Sequence, residues 1–440
     1  MMKLIILIGS MHFMVSWCSM ISIYVILCFL GVFLMLLNFK FDLYSSLMMV
    51  YSDYINFDKS SYTLVMLTLW ILGLMFMSLD KTYSFKECVF IFMLLVLVMF
   101  FCSSSLLMMY LFFELSLIPT YLVIVYWGYN PERLSASFYL LIYMLLVSLP
   151  FLFYIYYVLM DFGSLTFCIC DLYTFKYVGW WDYLVMTGSF LIKMPIYMFH
   201  VWLPKAHVEA PVYGSMILAA ILLKMGVLGL YRIILMLKFD PLFHLVFMSL
   251  GLIGGVLVSF LSMIQVDMKS LVAYSSVVHM NLMMAGLLTL FGLGWSSCLM
   301  IMVSHGLCSS GLFYMVNMYY DRSSSRLLVL NKGMVSYIPM VSLMWFILCS
   351  SNLSFPMSLN FFGEITMLMT LLSWDCKLML IMSVSCFFSG AYSLYLFSYV
   401  HHGQITFFNF SGSVTIKETV IVIYHYLPLV CVLLDLFMFY

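Results

Sequence analysis

Val89-Phe-Ile-Phe-Met-Leu-Leu-Val-Leu-Val-Met-Phe-Phe101 contains no polar side chain. A membrane β-barrel strand alternates apolar and polar residues, so an unbroken apolar run excludes that architecture. Inside a bilayer the backbone has no water to bond, and the other structure that satisfies itself is the α-helix. The same texture extends outward over the whole chain. Of its 440 residues 66% are hydrophobic and 8% are charged, with a mean hydropathy of +1.14. A soluble domain carries about 25% charged residues to face water. This chain needs lipid as its solvent, and it reads as an all-α, polytopic membrane protein.

About 20 apolar residues cross a hydrocarbon core of ~30 Å. Gly, Pro and charged residues punctuate the sequence at that interval. Spans are predicted near 3–18, 20–37, 61–79, 86–104, 106–127, 134–159, 184–202 and 211–235. Further spans follow near 242–264, 269–290, 294–317, 335–352, 355–373, 378–400 and 418–438. The total is about 14 or 15, depending on whether the pieces around Pro356 are one helix or two. Polar loops carry Asp42, Asp53 and Asp58, the turn Gly128-Tyr-Asn-Pro131, and Asp161, Asp171 and Lys176. Asp435 is expected at a membrane interface in a structural role. No linker divides the chain, so 1–440 is expected to be a single membrane domain.

Met1 to Trp17 has the outline of a signal peptide, with Lys3 before an apolar stretch. No small-residue cleavage pattern follows, and a first membrane helix is expected instead. The lack of an Arg-rich leader argues against import into an organelle. The 42 Met, 40 Phe and 32 Tyr residues suit an organelle genome whose code enlarges the Met set. Formal net charge is zero, which suggests no nucleic-acid partner. Most of the 12 cysteines sit singly in apolar spans, as small hydrophobes. Cys168 and Cys170 form a close pair, weak evidence for a metal or a disulfide. There is no Gly-rich nucleotide turn and no Cys cluster, so flavin, NADH and iron–sulfur centres are not expected in this chain.

Charge placement is the most informative feature. Most Asp, Glu, Lys and Arg fall in loops or at span ends. Glu114, Lys193, Lys224 and Glu364 do not: each lies inside an apolar segment. A charge at a helix centre costs ~2.5–3.5 kcal/mol, so four unpaired ones would cost roughly 10 kcal/mol. Static ion pairs would reduce that cost, but apolar substitutes usually serve packing as well or better. A proton or cation path is the stronger explanation. Withdrawal from water lets carboxyls and amines exchange protons near neutral pH, and neighbouring charges couple their titrations. His279 and His305, on successive predicted spans with Ser and Tyr nearby, add two imidazoles to the same inventory. Imidazole titrates near neutrality.

Helix breakers accompany two of the four charges. Lys193 stands two residues before Pro195, and Glu364 follows Pro356 and Gly363. Proline frees backbone groups that then need protein or water beside them, and interrupted helices point to ion sites in repeat-built transporters. The segment holding His200, Lys205, His207 and Glu209 is dense in possible ligands. Its histidine spacing is not a usual zinc spacing, and Pro204 and Pro211 bracket a turn. A structural corner is the expected role, and no metal site is predicted.

The run Leu191-Ile-Lys-Met-Pro-Ile-Tyr-Met-Phe-His-Val-Trp-Leu-Pro-Lys-Ala-His-Val-Glu-Ala-Pro211 is highly specific. It resembles the signature of the subunit 4 family of mitochondrial NADH:ubiquinone oxidoreductase (respiratory complex I), among the Mrp-antiporter-like membrane subunits. Phe112-Phe-Glu-Leu-Ser-Leu-Ile-Pro-Thr120, Leu222-Leu-Lys-Met-Gly226 and Asp267-Met-Lys-Ser-Leu-Val-Ala-Tyr-Ser-Ser276 match in order. So do His305-Gly-Leu-Cys-Ser-Ser310, Ser325-Arg326 and Asn360-Phe-Phe-Gly-Glu364. The resemblance is good from about residue 100 to 400 and weak over the first hundred and the last forty.

The resemblance implies 14 core helices with two inverted five-helix repeats and two broken helices. It divides the chain into N-terminal helices at 1–85, repeats at 86–235 and 242–400, and a C-terminal helix at 401–440. It maps the family's proton channel onto Glu114 paired with Lys193, then Lys224, His279 and His305, with Glu364 as the terminal site. It implies a proton-pumping subunit of the mitochondrial inner membrane whose partners are other membrane-arm subunits, neighbouring antiporter-like ones included. Redox cofactors would belong to other subunits of the complex. Membrane lipids are expected partners too, with cardiolipin suited to Lys and Arg near span ends. Other readings stay open. A free-standing cation/proton antiporter would carry the same ionisable pattern. A haem carrier would need paired axial histidines on facing helices, which the sequence does not offer. A passive scaffold would leave the four costly charges unexplained.

Overall fold

The computed structural model describes residues 49–52, 55–79, 84–167, 179–236, 241–404 and 413–439. The two spans expected before residue 38, Asp42, Asp53, Asp171, Lys176 and the Cys168–Cys170 pair lie outside the described residues.

A two-stranded antiparallel hairpin, β1 (Met49–Ser52) and β2 (Ile55–Phe57), precedes the helices. Then come α1 (Lys59–Ser78), α2 (Ser84–Phe101), α3 (Leu106–Leu115), α4 (Leu117–Trp127) and α5 (Arg133–Phe162). The middle of the chain forms α6 (Trp180–Lys193), α7 (Trp202–Glu209), α8 (Val212–Ile217), a π-helical turn (Leu218–Leu222) and α9 (Leu223–Met236). α10 (Pro241–Ile264), α11 (Met268–Leu288) and α12 (Gly292–Ser323) follow. The last elements are α13 (Met334–Tyr337), α14 (Pro339–Asn352), α15 (Leu359–Trp374), α16 (Leu378–His401) and α17 (Ile416–Cys431), closed by a 3₁₀ segment, Val432–Met438. Among the described residues nine helices are long and apolar enough to cross a membrane. The chain is therefore an all-α, multi-pass membrane protein, and the predicted spans that fall on described residues coincide with helices apart from the interruptions after Lys193 and around Pro356.

Local chemistry sets the helix ends. Thr415 and Glu418 form a reciprocal capping box at the start of α17, with Thr415 N donating to Glu418 Oε2 at 2.8 Å, which uses up donors the helix leaves unpaired. Within the spans, hydroxyls donate back to the preceding turn. Ser275 to Val272 O (2.7 Å), Ser276 to Ala273 O (2.7 Å) and Thr370 to Met367 O (2.7 Å) show the pattern. That satisfies a polar group where no water is at hand.

At 32 residues α12 is ~48 Å long, well beyond a ~30 Å hydrocarbon core. It is buried throughout its apolar window and packs against α1, α8, α11, α14, α15 and α17. It is the pillar of the fold. Close approach of α15 to this pillar depends on Gly363, where an added Cβ would stand 2.7 Å from Ile301 Cγ1. At the periphery, α5 and α16 leave Leu146, Phe153, Met160 and Phe387 exposed, an apolar surface fit for lipid or a neighbouring subunit.

Both expected interruptions occur. Helix α6 stops at Lys193, and residues 194–201 form turns with Met198 at φ 85° before α7 resumes. The pieces around Pro356 are two helices. α14 ends at Asn352, α15 begins at Leu359, and Ser354 (φ 60°) and Met357 (φ 76°) turn the chain between them. Non-glycine residues in this left-handed region cost ~1–2 kcal/mol each, so the surrounding packing must hold the breaks open.

Candidate functional site

Four of the six predicted site residues form one connected group. Lys224 lies in the first turn of α9, just past the π-helical segment. Its Nζ lies 2.6 Å from Ala219 O, within that segment, and 3.0 Å from His305 Nδ1. Single π turns inside helices recur at functional sites. With Nδ1 accepting from Lys224, a neutral His305 carries its proton on Nε2. That nitrogen is buried and has no hydrogen-bond partner among the described residues.

The His305 ring lies 5.3 Å, centroid to centroid, from that of His279 on α11. His279 Nδ1 stands 3.5 Å from Glu364 Oε1, and its Nε2 is 3.3 Å from Tyr392 OH on α16. Glu364, in the second turn of α15, accepts from Asn360 Nδ2 (3.3 Å) and from the Ser354 hydroxyl in the break. Ser304 donates to Asn360 Oδ1 at 3.0 Å, which closes a ring of polar contacts back to the residue beside His305. All of Lys224, His279, His305 and Glu364 are buried. A cavity lined by Gly251, Gly255, His279, Glu364, Cys386 and Ser389 reaches the outer end of this group, with room for about one water molecule.

Lys193 and Glu114 stand apart from it. Lys193, the last residue of α6, donates to Ser116 Oγ at 3.1 Å and lies 3.6 Å from the centre of the Phe113 ring. Met225 Sδ is 3.9 Å away. Glu114 and Lys193 act on one another electrostatically but make no ion pair within 4.0 Å. Glu114 Oε1 is buried without a hydrogen-bond partner among the described residues. Met225 is next in sequence to Lys224.

Sequence reasoning found the charged members but not those that hold them. Ser116, Ser304, Ser354, Asn360 and Tyr392 complete the contacts. Ser116, Asn360 and Ser304 were adjacent to or within the quoted motifs, and polar side chains in apolar spans were the signal for them. Tyr392 gave none, because tyrosine is common throughout this chain. In the corner segment His200 stacks on Tyr197 (5.5 Å, 15°) and His207 on Phe313 (4.7 Å, 5°), so the two imidazoles serve different neighbours.

Residues 103–389 match the family model described as NADH:quinone oxidoreductase/Mrp antiporter, TM. Residues 1–104 match the one described as NADH-ubiquinone oxidoreductase chain 4, amino terminus. This chain belongs to the NADH-ubiquinone oxidoreductase chain 4 family. Its relatives include the NADH-ubiquinone oxidoreductase chain 4 of Ceratitis capitata, 44% identical over 406 residues, covering 90% of this chain and 89% of the other. The chain 4 protein of Locusta migratoria is 41% identical over 418 residues, covering 89% and 91%. Among solved structures, a chain of respiratory complex I from Thermus thermophilus with bound NADH superposes with a TM-score of 0.77 at 22% identity. That match covers 86% of this chain and 81% of the other, and it places both in one fold. Family membership extends over the first hundred residues too, where the motif resemblance was weak.

Proposed function

We propose that this chain 4 family member is a proton-translocating membrane-arm subunit of respiratory complex I, a multi-pass protein of the mitochondrial inner membrane. NADH oxidation and ubiquinone reduction take place in other subunits, which hold the flavin and iron–sulfur centres. The chain is organised as N-terminal helices (1–85), two inverted repeats (86–235 and 242–400) and a C-terminal helix (401–440). The supporting observation is the buried sequence of contacts from Lys224 through His305 and His279 to Glu364. A lysine, two imidazoles and a carboxylate follow one another there at distances a proton can cross directly or through one water. A charge shift at Glu114 acts on Lys193, and a proton passes from Lys193 to Lys224. It then moves by His305 and His279 to Glu364, and leaves by the cavity at Ser389. Partners are the other membrane-arm subunits, neighbouring antiporter-like ones included, together with membrane lipids. Cardiolipin is the lipid whose headgroup suits Lys and Arg at the span ends.

Mildly solubilised source membranes, separated on native gels and analysed by peptide mass spectrometry, test the assignment. Peptides of this chain are expected in the large NADH-oxidising band. Their confinement to a small band without that activity would favour a free-standing cation/proton antiporter. Lys193→Ala is expected to abolish pumping in the assembled complex, as read by a pH-sensitive dye in proteoliposomes. Full pumping by that variant would sink the path.

A further inference from the structure

Glu132 before α5, Lys205 and Glu209 on α7, and Gln265 between α10 and α11 line one cleft of about 640 Å³ at an end of the helix bundle. That volume falls in the range of small-ligand sites, ~300–1,000 Å³. The neutral polar groups in its wall are already satisfied. Ser135 Oγ donates to Glu132 O (2.7 Å), Ser270 Oγ to Gln265 Oε1 (3.1 Å) and Gln265 Nε2 to Leu261 O (3.1 Å).

The charged groups in the wall are not. Glu209 is 5% exposed, and its Oε1 accepts from Asn130 Nδ2 at 3.3 Å, while its buried Oε2 has no hydrogen-bond partner among the described residues. Lys269 acts on Glu209 electrostatically but donates to Ala210 O (3.1 Å), and among the described residues no cation lies within 4.0 Å of the Glu209 carboxylate. Lys205 Nζ rests 3.9 Å from the centre of the Tyr139 ring, with no carboxylate within 4.0 Å among the described residues. A buried carboxylate oxygen left without a donor is costly, and the strongest donor for it is a positively charged N–H.

Apolar surface leads away from the cleft on two sides. Ser135, in its wall, starts a stripe on α5 that continues through the exposed Tyr139, Ile142 and Leu146. On α10 the exposed Ile253, Leu257, Leu261 and Ile264 form a second stripe, which ends beside Gln265. Residues three and four apart share one face of a helix, so each stripe is continuous. We propose that the cleft binds the headgroup of phosphatidylethanolamine. The lipid ammonium donates to Glu209, with Glu132 beside it, the phosphate takes the free donors of Lys205, and the acyl chains follow the two stripes. A choline headgroup has no N–H to offer the carboxylate. Cardiolipin, suited to basic span ends, would set its phosphates against Glu132 and Glu209 with no cation of its own. This site is separate from the proton path.

Assembled complex I, reconstituted into phosphatidylglycerol vesicles with a trace of phosphatidylethanolamine carrying a photoactivatable acyl chain, tests this by mass spectrometry of the labelled peptides. Label is expected on residues 135–146 and 253–264. Unlabelled phosphatidylethanolamine should displace it at least ~10-fold more effectively than phosphatidylcholine, the equivalent of one charge-assisted hydrogen bond. Glu209→Gln should abolish that preference. Should this variant fail to assemble, the wild-type complex still gives the reading with N-methylated headgroups: displacement should persist with one methyl group and collapse with three. Equal displacement by the two lipids would identify ordinary surface lipid and overturn the site. Absence of label from both stretches would mean that a neighbouring subunit fills the cleft, and would overturn it too. A preference that survives Glu209→Gln would do the same. Proton uptake by Lys193→Ala is a separate readout, so failure of the lipid site and failure of the path are told apart.

Discussion

Lys224→Met is expected to stop proton translocation in the assembled complex, lowering proton uptake by at least ~100-fold. Methionine fills nearly the same volume without the amine, so α9 and its packing survive. His305 Nδ1 and Ala219 O lose their donor, and leaving buried acceptors unpaired costs ~1–3 kcal/mol each, a tolerable loss inside a large complex. Lys224→Arg separates a relay from a fixed hydrogen-bond donor. Arginine keeps the charge and the donors but does not release its proton in proteins. A relay predicts that Lys224→Arg fails as Lys224→Met does; a purely structural lysine predicts that it pumps. Proton uptake per NADH oxidised, measured in proteoliposomes, reads the difference.

Arg232→Met should act on stability and leave the chemistry alone. Arg232 is buried on α9, where NH1 donates to Ser103 O and Ser103 Oγ (both 3.1 Å) and NH2 to Phe101 O (2.7 Å). These carbonyls end α2, and the guanidinium caps them from another helix. Leaving each of these buried acceptors unpaired costs ~1–3 kcal/mol, because the carbonyls cannot turn to water. The expected result is a strong loss of assembled complex on native gels, with normal proton stoichiometry in whatever assembles. A normal yield of complex would show that the cap is dispensable.

The two classes of residue behind these predictions differ in how plainly the sequence displayed them. Lys224 and Glu364 announce themselves, since a charge in an apolar run has few reasons to be there. Pro195 and Pro356 likewise mark the two breaks in the sequence itself. Arg232 was passed over, because it falls near a span end where charge is ordinary, and only the fold brings it to the end of α2. The π turn before Lys224 left no mark in the composition of Leu218–Leu222, all of which suits an α-helix. Distance was the other hidden quantity. Sequence order joins Glu114 to Lys193 and Lys193 to Lys224, whereas the folded chain puts Ser116 against the first lysine and Met225 before the second. Which polar neighbours meet depends on helix packing angles, and one chain's periodicity does not encode them.

The two interrupted helices also orient electric fields. Aligned peptide dipoles place about half a positive charge at a helix N-terminus and half a negative charge at its C-terminus. Lys193 is the final residue of α6, and its ammonium sits at a negative end. Glu364 lies near the start of α15, and its carboxylate faces a positive end. Continuous helices would have carried both residues at mid-length, where these half-charges are too distant to act. Each break therefore turns backbone into a fixed countercharge for the ionisable group beside it, worth ~0.3–1 kcal/mol at an exposed site and up to ~2 kcal/mol when partly buried. That countercharge requires no acid or base to move with the proton, so it persists whichever groups are loaded.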